Sequence, residues 1–281
     1  MIRRATKTDL EALVSWAAKE GWNPGLGDAD AFWRADPDGY WVDDVDGEIA
    51  AGVSLVHHHP DYGFLGFYIV LPQFRGQGLG FRLWSQVLAM SPARTVGLDG
   101  VVAQQENYRK SGFAYAHANA RYGAKLLLDA PMDPRIVPAA SVPTDALVAY
   151  DAACNPAPRQ RFITAWLDAS ADASHGRAAL VFRDGGSISG LGAIRACGSG
   201  FKIGPLFADS PEIADRLFRA LVAGVGGGDI YLDIPMPNPE ARALALRYGM
   251  QPVFETARMY RGHYPELPLR RIFGVTSFEL G

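Results

Sequence analysis

Two α/β domains in tandem are what this sequence predicts, on three observations. The chain has 281 residues, short strands and helices can be read in order along its first 130, and the same order returns after a stretch rich in proline and alanine. A length of 281 exceeds one ordinary domain of roughly 100 to 200 residues and suits two. With 48% hydrophobic and 20% charged residues the chain has material for packed cores and is far from a disordered composition.

The elements follow one another from the N-terminus. "IRRAT" is a short strand, and "TKTDLEALVSWAAKEG" carries Leu10, Leu13, Val14 and Ala17 as a helical stripe closed by Gly21. "DADAFWRAD" is a second, short helix. "YWVDDV" and "EIAAGVSLV" flank Asp46 and Gly47, a pair that tolerates positive φ and suits a two-residue hairpin. "GFLGFYIV" is the next strand, and "GLGFRLWSQVLAM" places Leu79, Leu83, Trp84, Val87 and Leu88 on one helical face. Then come strand "TVGLD", short helix "QENYRKSG", and "FAYAHANARYG" with "KLLL" as two closing strands. The order is β-α-α-β-β-β-α-β-α-β-β.

Lys and Arg number 27 against 30 Asp and Glu, a net charge of -3, so no basic field points to nucleic acid. No apolar run approaches the roughly 18 residues of a membrane span, and no membrane partner is expected. The opening residues turn polar at once, and only Cys154 and Cys197 occur, which together read as a cytoplasmic chain with free thiols. Oligomeric state is not readable from the residues.

The segment "RGQGLG", Arg75 to Gly80, lies between the apolar strand and the amphipathic helix. A nucleoside triphosphate loop would need Lys and Ser or Thr where Phe81 and Arg82 stand. A dinucleotide fingerprint would want a small residue at Phe81 and a βαβ unit, although Asp99 does follow at about the right distance. A third reading is a pyrophosphate site, in which consecutive backbone N–H groups and the positive end of the helix dipole face the anion and glycines keep Cβ atoms out of its way. A tight turn without a ligand is the plain alternative.

"YIVLPQFRGQGLG" resembles the acyl-CoA-binding motif of the GNAT superfamily of N-acetyltransferases, and "NYRKSGF", Asn107 to Phe113, resembles that superfamily's Tyr-x-x-x-Gly-Phe segment. The Asn-x-x-Ala that usually precedes this tyrosine is absent, with Val101 and Gln104 in its place. "EGWNPG" and the closing "FGVTSFELG" resemble a bacterial subgroup that carries a second, degenerate GNAT-like domain. The resemblance implies an α/β (α+β) fold of two tandem GNAT-type domains, each a mixed, mainly antiparallel sheet flanked by helices. Residues 1–130 would be the catalytic domain with the acyl-CoA site, 131–143 a linker, and 144–281 the degenerate domain. It implies acyl-CoA-dependent N-acyl transfer, with acetyl-CoA as co-substrate, no metal, and a small-molecule amine or a protein or peptide amine as acceptor. Cofactor binding would fall to the strand residues Tyr68, Ile69 and Val70, with the backbone of Tyr68 and Val70 meeting the pantetheine amides, and to Arg75, Gly76, Gln77, Gly78, Leu79 and Gly80 at the pyrophosphate. Tyr108 would stand beside the sulfur.

An alkyl amine of pKa about 10.4 is only about one part in a thousand neutral at pH 7, which alone costs about 4 to 5 kcal/mol. No carboxylate lies in "GFYIV", where many relatives place a general base, leaving Asp61, His59 and Glu48 as substitutes. Tyr108, protonated up to about pH 10, can protonate the leaving thiolate. Trp22 and Asn23, in a Pro-Gly loop, and His59 are the acceptor-side expectations. "HHHPD", His57 to Asp61, does not read as a metal site, because consecutive histidines on an extended segment alternate faces.

The second half repeats the first. "TDALVAY" answers "TDLEALV", "RDGGSISG" answers "VDGEIAAG", "DRLFRALV" answers "FRLWSQVL", and "IYLDI" answers "TVGLD". Aligned without gaps, "RGQGLG" stands opposite "DSPEIA", Asp209 to Ala214, so cation and glycine are replaced by Asp209 and Glu212 and the site is expected to be lost. Asn238 and Ala241 supply the Asn-x-x-Ala absent from the first half, but Ala245 holds the tyrosine position. Rival readings are an acyl-CoA-binding sensor without catalysis and a structural protein that kept only the fold.

Overall fold

The computed structural model of the protein describes residues 1–168 and 176–281. The first half runs β1 (Ile2–Arg4), α1 (Lys7–Lys19), α2 (Asp28–Ala35), β2 (Tyr40–Val45), β3 (Glu48–His59), β4 (Tyr62–Val70), α3 (Leu79–Ala89), β5 (Thr95–Val101), α4 (Gln105–Lys110) and β6 (Ala114–Leu126). The second runs β7 (Ile136–Pro138), α5 (Thr144–Ala152), α6 (Gln160–Leu167), β8 (Ala178–Asp184), β9 (Ser187–Ala196), β10 (Phe201–Ala208), α7 (Pro211–Gly224), β11 (Gly228–Pro235), α8 (Pro239–Arg247), β12 (Gln251–Gly262) and β13 (Ile272–Gly274).

Local chemistry accounts for the elements that matter to the site. Thr6 and Asp9 form a reciprocal capping box that opens α1, and Leu10, Leu13 and Ala17 bury its inner stripe. Leu83, Trp84, Val87 and Leu88 do the same for α3. The sequence reading differs from the structure at two places. The expected pair of closing strands is one 13-residue strand, β6, which runs through Gly123 because Tyr231 packs where a Cβ would stand and the strand is paired on both edges. Ile136–Pro138, inside the expected linker, is β7 and pairs with β8.

All the strands join one mixed sheet in the order β1-β2-β3-β4-β5-β12-β6-β11-β10-β9-β8-β7, with β13 beside β10. Among the described residues only β4 with β5 and β10 with β11 are parallel, and the other pairs are antiparallel. The order is its own mirror image about the β12–β6 pair, so the halves are related by a pseudo-twofold axis and have exchanged their last strands. β12, from the second half, lies beside β5, and β6, from the first, lies beside β11.

The exchange is pinned by a matched pair of buried ion pairs. Arg121 on β6 stands opposite Asp233 on β11 and donates at 2.6 and 2.8 Å; Arg258 on β12 stands opposite Asp99 on β5 and donates at 2.8 and 2.7 Å. Both geometries are bidentate, which fixes strand register as well as charge. Burial alone would lower Arg258, and Asp99 foremost raises it well above the ordinary arginine value. A further buried cluster crosses between halves, with Arg177 and Arg195 donating to Asp28 of α2. Among the described residues no helix is long and apolar enough to cross a membrane.

Candidate active site

Parallel pairing of β4 with β5 runs from Tyr62 opposite Thr95 to Leu65 opposite Leu98 and stops there. Two residues on, Phe67 takes a φ of 48° and the β3–β4 register slips, a bulge that turns the rest of β4 away from β5. From Gly66 to Val70 one edge of β4 is therefore free. The Leu71 N–H bonds the Ala50 carbonyl on the β3 side at 3.0 Å, so strand alternation directs the backbone groups of Tyr68 and Val70 toward the free edge and those of Ile69 toward β3. The Val70 carbonyl is already taken by Arg75 Nε at 2.9 Å, which leaves its N–H and both groups of Tyr68 for a ligand.

That edge leads into the glycine turn. Arg75, Gly76, Gln77 and Gly78 are exposed; Gly76 and Gly78 have φ of 78° and 75°, in the left-handed region that suits glycine. Gly80 is needed for another reason, since a Cβ there would sit 2.6 Å from a Val70 methyl and 2.8 Å from the Tyr68 hydroxyl. Gly78 caps α3 and no side chain satisfies the helix end. The amides of Leu79, Gly80 and Phe81 are among those a helix leaves without internal partners, so this end presents N–H groups and a positive dipole. Arg75 pairs with Glu20 at 2.5 Å beside the turn.

Tyr108, on α4, joins two spaces. A surface groove is lined by Tyr68, Phe81, Trp84, Gln104, Asn107 and Tyr108, and a narrow inner cavity of about 70 Å³ is lined again by Tyr68, Gln104 and Tyr108. The Tyr108 ring stacks on Trp84 at 5.3 Å and packs against Gly100, where a Cβ would meet it. Burial, with Tyr68 adding to it, pushes the Tyr108 hydroxyl well above the ordinary phenol range, so it carries its proton throughout neutral and mildly alkaline pH.

The inner cavity receives residues from both halves: Trp22, Asp99 and Arg121 from the first, Phe254, Thr256, Phe278 and Glu279 from the second. Both Asp99 oxygens are bonded, by Arg258 and by Asn119 at 2.7 Å. Arg121 also donates to the Trp22 carbonyl at 2.6 Å and lies over the rings of Phe254 and Phe278. Two buried polar atoms of the lining, Thr256 Oγ1 and Glu279 Oε2, have no hydrogen-bond partner among the described residues.

The sequence-predicted residues thus fall into three groups. Tyr68, Val70, the Arg75–Gly80 turn and Tyr108 lie along one path, and Trp22 reaches the cavity at its end. Asn23 belongs to the scaffold, since its amide donates to the Ser199 carbonyl at 2.9 Å and accepts from the Ser199 N–H at 3.0 Å. His59 lies at the opposite end of β4 from Tyr68, in a separate cleft shared with Asp36, Met90 and Arg159. The three consecutive histidines diverge: His57 faces Ser91, His58 is half-buried between Tyr62 and Phe162, and His59 accepts from the Asp61 N–H. Among the described residues no three His, Cys, Asp or Glu side chains gather as metal ligands would. Arg121, Phe254, Thr256, Phe278 and Glu279 escaped sequence reasoning: strand exchange and the closing segment bring the last four in from the second repeat, and Arg121 is placed by its pairing with Asp233 across β6 and β11.

In the second half the helical faces match the predicted alignment, Leu83 and Trp84 answering to Leu217 and Phe218 at full burial. The preceding turn does not. Residues 71–78 separate β4 from α3, whereas Asp209 and Ser210 alone separate β10 from α7, so Pro211 to Ala214 are already helix. Ala245, opposite Tyr108, is buried in α8.

Comparison with known proteins agrees with this geometry. The acetyltransferase (GNAT) family matches residues 7–114, and a second acetyltransferase (GNAT) domain family matches residues 147–274. Holothin acyltransferase from Pseudoalteromonas sp. (strain SANK 73390) is 31% identical over 280 residues, covering 99% of this chain and 93% of that protein. Among solved structures, a Pyrococcus horikoshii protein provisionally named an acetyltransferase superposes with a TM-score of 0.82 at 20% identity, over 100% of this chain and 95% of its own. A tandem GNAT protein from the clavulanic acid biosynthesis pathway does so at 0.64 and 14%, over 95% and 99%. These two share the fold. With both halves matched and one relative aligned from end to end, the chain belongs to the GNAT acyltransferases and carries two domains of that type in tandem.

Proposed function

We propose that the protein is an acyl-CoA-dependent N-acyltransferase that uses acetyl-CoA, acts on a small-molecule amine, and works from one site in the first repeat that the second repeat completes. The observation that carries this is the single path from the exposed glycine turn, along the free β4 edge, past Tyr108 and into the inner cavity. In this reading the turn amides and the α3 dipole hold the pyrophosphate, while Tyr68 and Val70 fix the pantetheine through main chain. Tyr108, kept protonated by burial, gives its proton to the departing sulfur.

The narrow cavity, with Trp22, Phe254 and Phe278 around it, suits a small flat amine better than a lysine on a folded protein surface. The relative that matches end to end is by its name an acyltransferase of holothin, which fits a small-molecule acceptor. Acetyl-CoA titrated into the protein should bind with one site per chain, and a panel of small aromatic amines should release CoA thiol in its presence. Binding without thiol release for any amine, peptides included, would favour the sensor reading, and no binding would leave only the shared fold.

A further inference from the structure

Transfer to an amine needs a group that removes a proton inside the cavity, and most charged side chains of the lining are already engaged. Asp99 accepts from Arg258 and Asn119 on both oxygens, and Arg121 is committed to Asp233 and the Trp22 carbonyl. Tyr68 and Tyr108 are both raised, foremost by burial, and stay neutral. Glu279 differs. It is 3% exposed, lines the cavity, and its Oε2 accepts no hydrogen bond from the described residues. Burying a carboxylate oxygen without a partner is costly, which points to a partner that arrives with the substrate.

The backbone on either side holds Glu279 in place. Val275 to Leu280 are buried, and the chain passes so close over β4 that any Cβ at Gly66 would collide with the Glu279 carbonyl. Arg159, bidentate to Asp151 at 2.9 and 2.8 Å, donates to Thr276 Oγ1 at 2.6 Å and to the Gly281 carbonyl. His58 Nε2 lies 2.8 Å from the Leu280 carbonyl. The glycine at 66 thus admits a carboxylate from the C-terminal segment to the stretch of β4 that has none of its own.

Resting on the acyl-transfer reading above, we infer that Glu279 is the general base for the acceptor amine, with the Thr256 hydroxyl as a second polar contact. The cations that interact electrostatically with it are Arg121 on β6, Arg195 on β9 and Lys202 on β10, and the Asp99 carboxylate on β5 shares the cavity lining. Glu279 takes one proton from the ammonium, and the freed lone pair forms the N–C bond to the thioester carbonyl. As the C–S bond breaks, Tyr108 protonates the sulfur and recovers a proton from the nitrogen. The products are amide and thiol, and the proton on Glu279 is released to solvent.

The test uses the full chain with acetyl-CoA and two acceptors, benzylamine and aniline, followed by thiol release. For benzylamine, mostly protonated at pH 7, Glu279→Gln should lower kcat about 100-fold, and the remaining rate should climb about tenfold per pH unit toward pH 9, since only spontaneously neutral amine reacts. Wild-type rate should be level over that range. For aniline, already neutral, the same variant should lose less than about threefold, a contrast that a merely structural lesion would not produce. Acetyl-CoA affinity should be unchanged. Equal losses for the two amines with parallel profiles, or no loss, would overturn the assignment. If Gln weakens the fold, Glu279→Asp keeps the carboxylate and should show the level profile at reduced rate; a climbing profile there would also count against Glu279. Wild-type protein that binds acetyl-CoA and acylates no amine would instead overturn the transferase reading itself.

Discussion

Eight residues, 71–78, join β4 to α3 in the first repeat, and two, Asp209 and Ser210, join β10 to α7 in the second. The helices that follow bury matching faces, yet only the first has an end left open. At α7 the Ser210 hydroxyl accepts from the Ile213 N–H at 3.3 Å, and Pro211 has no N–H. Glu212, in the first turn of α7, is lowered by the Ser210 hydroxyl and by its own backbone N–H, as suits a carboxylate near a helix N-terminus. The first repeat forgoes that local satisfaction at Gly78 and keeps its amides available. On the proposed reading, the ligand site is a helix end that the chain leaves uncapped.

The largest break in the comparison comes from separating the repeats. Because β5 finds its partner in β12, a chain ending at residue 143 would lose β12 and Glu279 together, and it is expected neither to fold cooperatively nor to bind acetyl-CoA. A folded, acetyl-CoA-binding fragment by circular dichroism and calorimetry would show that the exchange is dispensable. Next, Gly78→Glu makes the first turn resemble the second. A carboxylate about 4 Å from a phosphate oxygen costs on the order of 4 kcal/mol at an effective dielectric of about 20, close to a thousandfold in affinity. Wild-type affinity in a folded Gly78→Glu protein would remove the pyrophosphate assignment.

The symmetric ion pairs allow a like-for-like test of the two exchanged strands. Arg258→Met leaves Asp99 buried without its bidentate partner, and Arg121→Met does the same to Asp233; each should cost about 3 to 5 kcal/mol in denaturant unfolding. A cost confined to one of them would mean that only one exchanged strand depends on its pair. Tyr108→Phe has a smaller effect, about tenfold or more on kcat with acetyl-CoA affinity retained. Since burial raises the Tyr108 hydroxyl, wild-type activity should not fall as pH rises through about 10, where an ordinary phenol loses its proton. A decline centred there would assign the proton to another group.

Much of the first repeat was legible in its residues. Periodicity placed α1 and α3, Asp46 and Gly47 placed the β2–β3 hairpin, and the glycine turn followed from the conformations glycine alone tolerates. Long-range pairing was not legible. Nothing in "AYAHANARYGAKL" says that its neighbours will be β11 and β12, because strands of either repeat offer similar edges and Asp99 and Asp233 offer either exchanged strand the same arginine partner. For the same reason the far wall of the cavity was invisible: Phe254, Thr256 and Glu279 join Tyr108 around it through tertiary structure. A signal did exist in "GVTSFELG", an apolar closing segment with one carboxylate, which a solvated chain end would not require.

The smallest expected effect separates two explanations for the silent second site. The gapless alignment of the repeats put Glu212 opposite Gly78, as if one negative charge excluded the anion. If charge alone were responsible, Glu212→Gly would remove both carboxylate and Cβ and open a second, weak acetyl-CoA site. On the one-site reading proposed above, the cause lies instead in the backbone: the connection before α7 is two residues long, Pro211 supplies no N–H, and the amides of Ile213 and Ala214 are bonded to Ser210. Asp209 is also held in place, paired with Arg271 at 2.7 Å and accepting from the Tyr150 hydroxyl at 3.0 Å. Glu212→Gly is therefore expected to leave calorimetric stoichiometry at one acetyl-CoA per chain and to change thermal stability only slightly, since the lost carboxylate is exposed. A second equivalent of binding would show that side-chain charge, and not the two-residue connection, silenced the repeat.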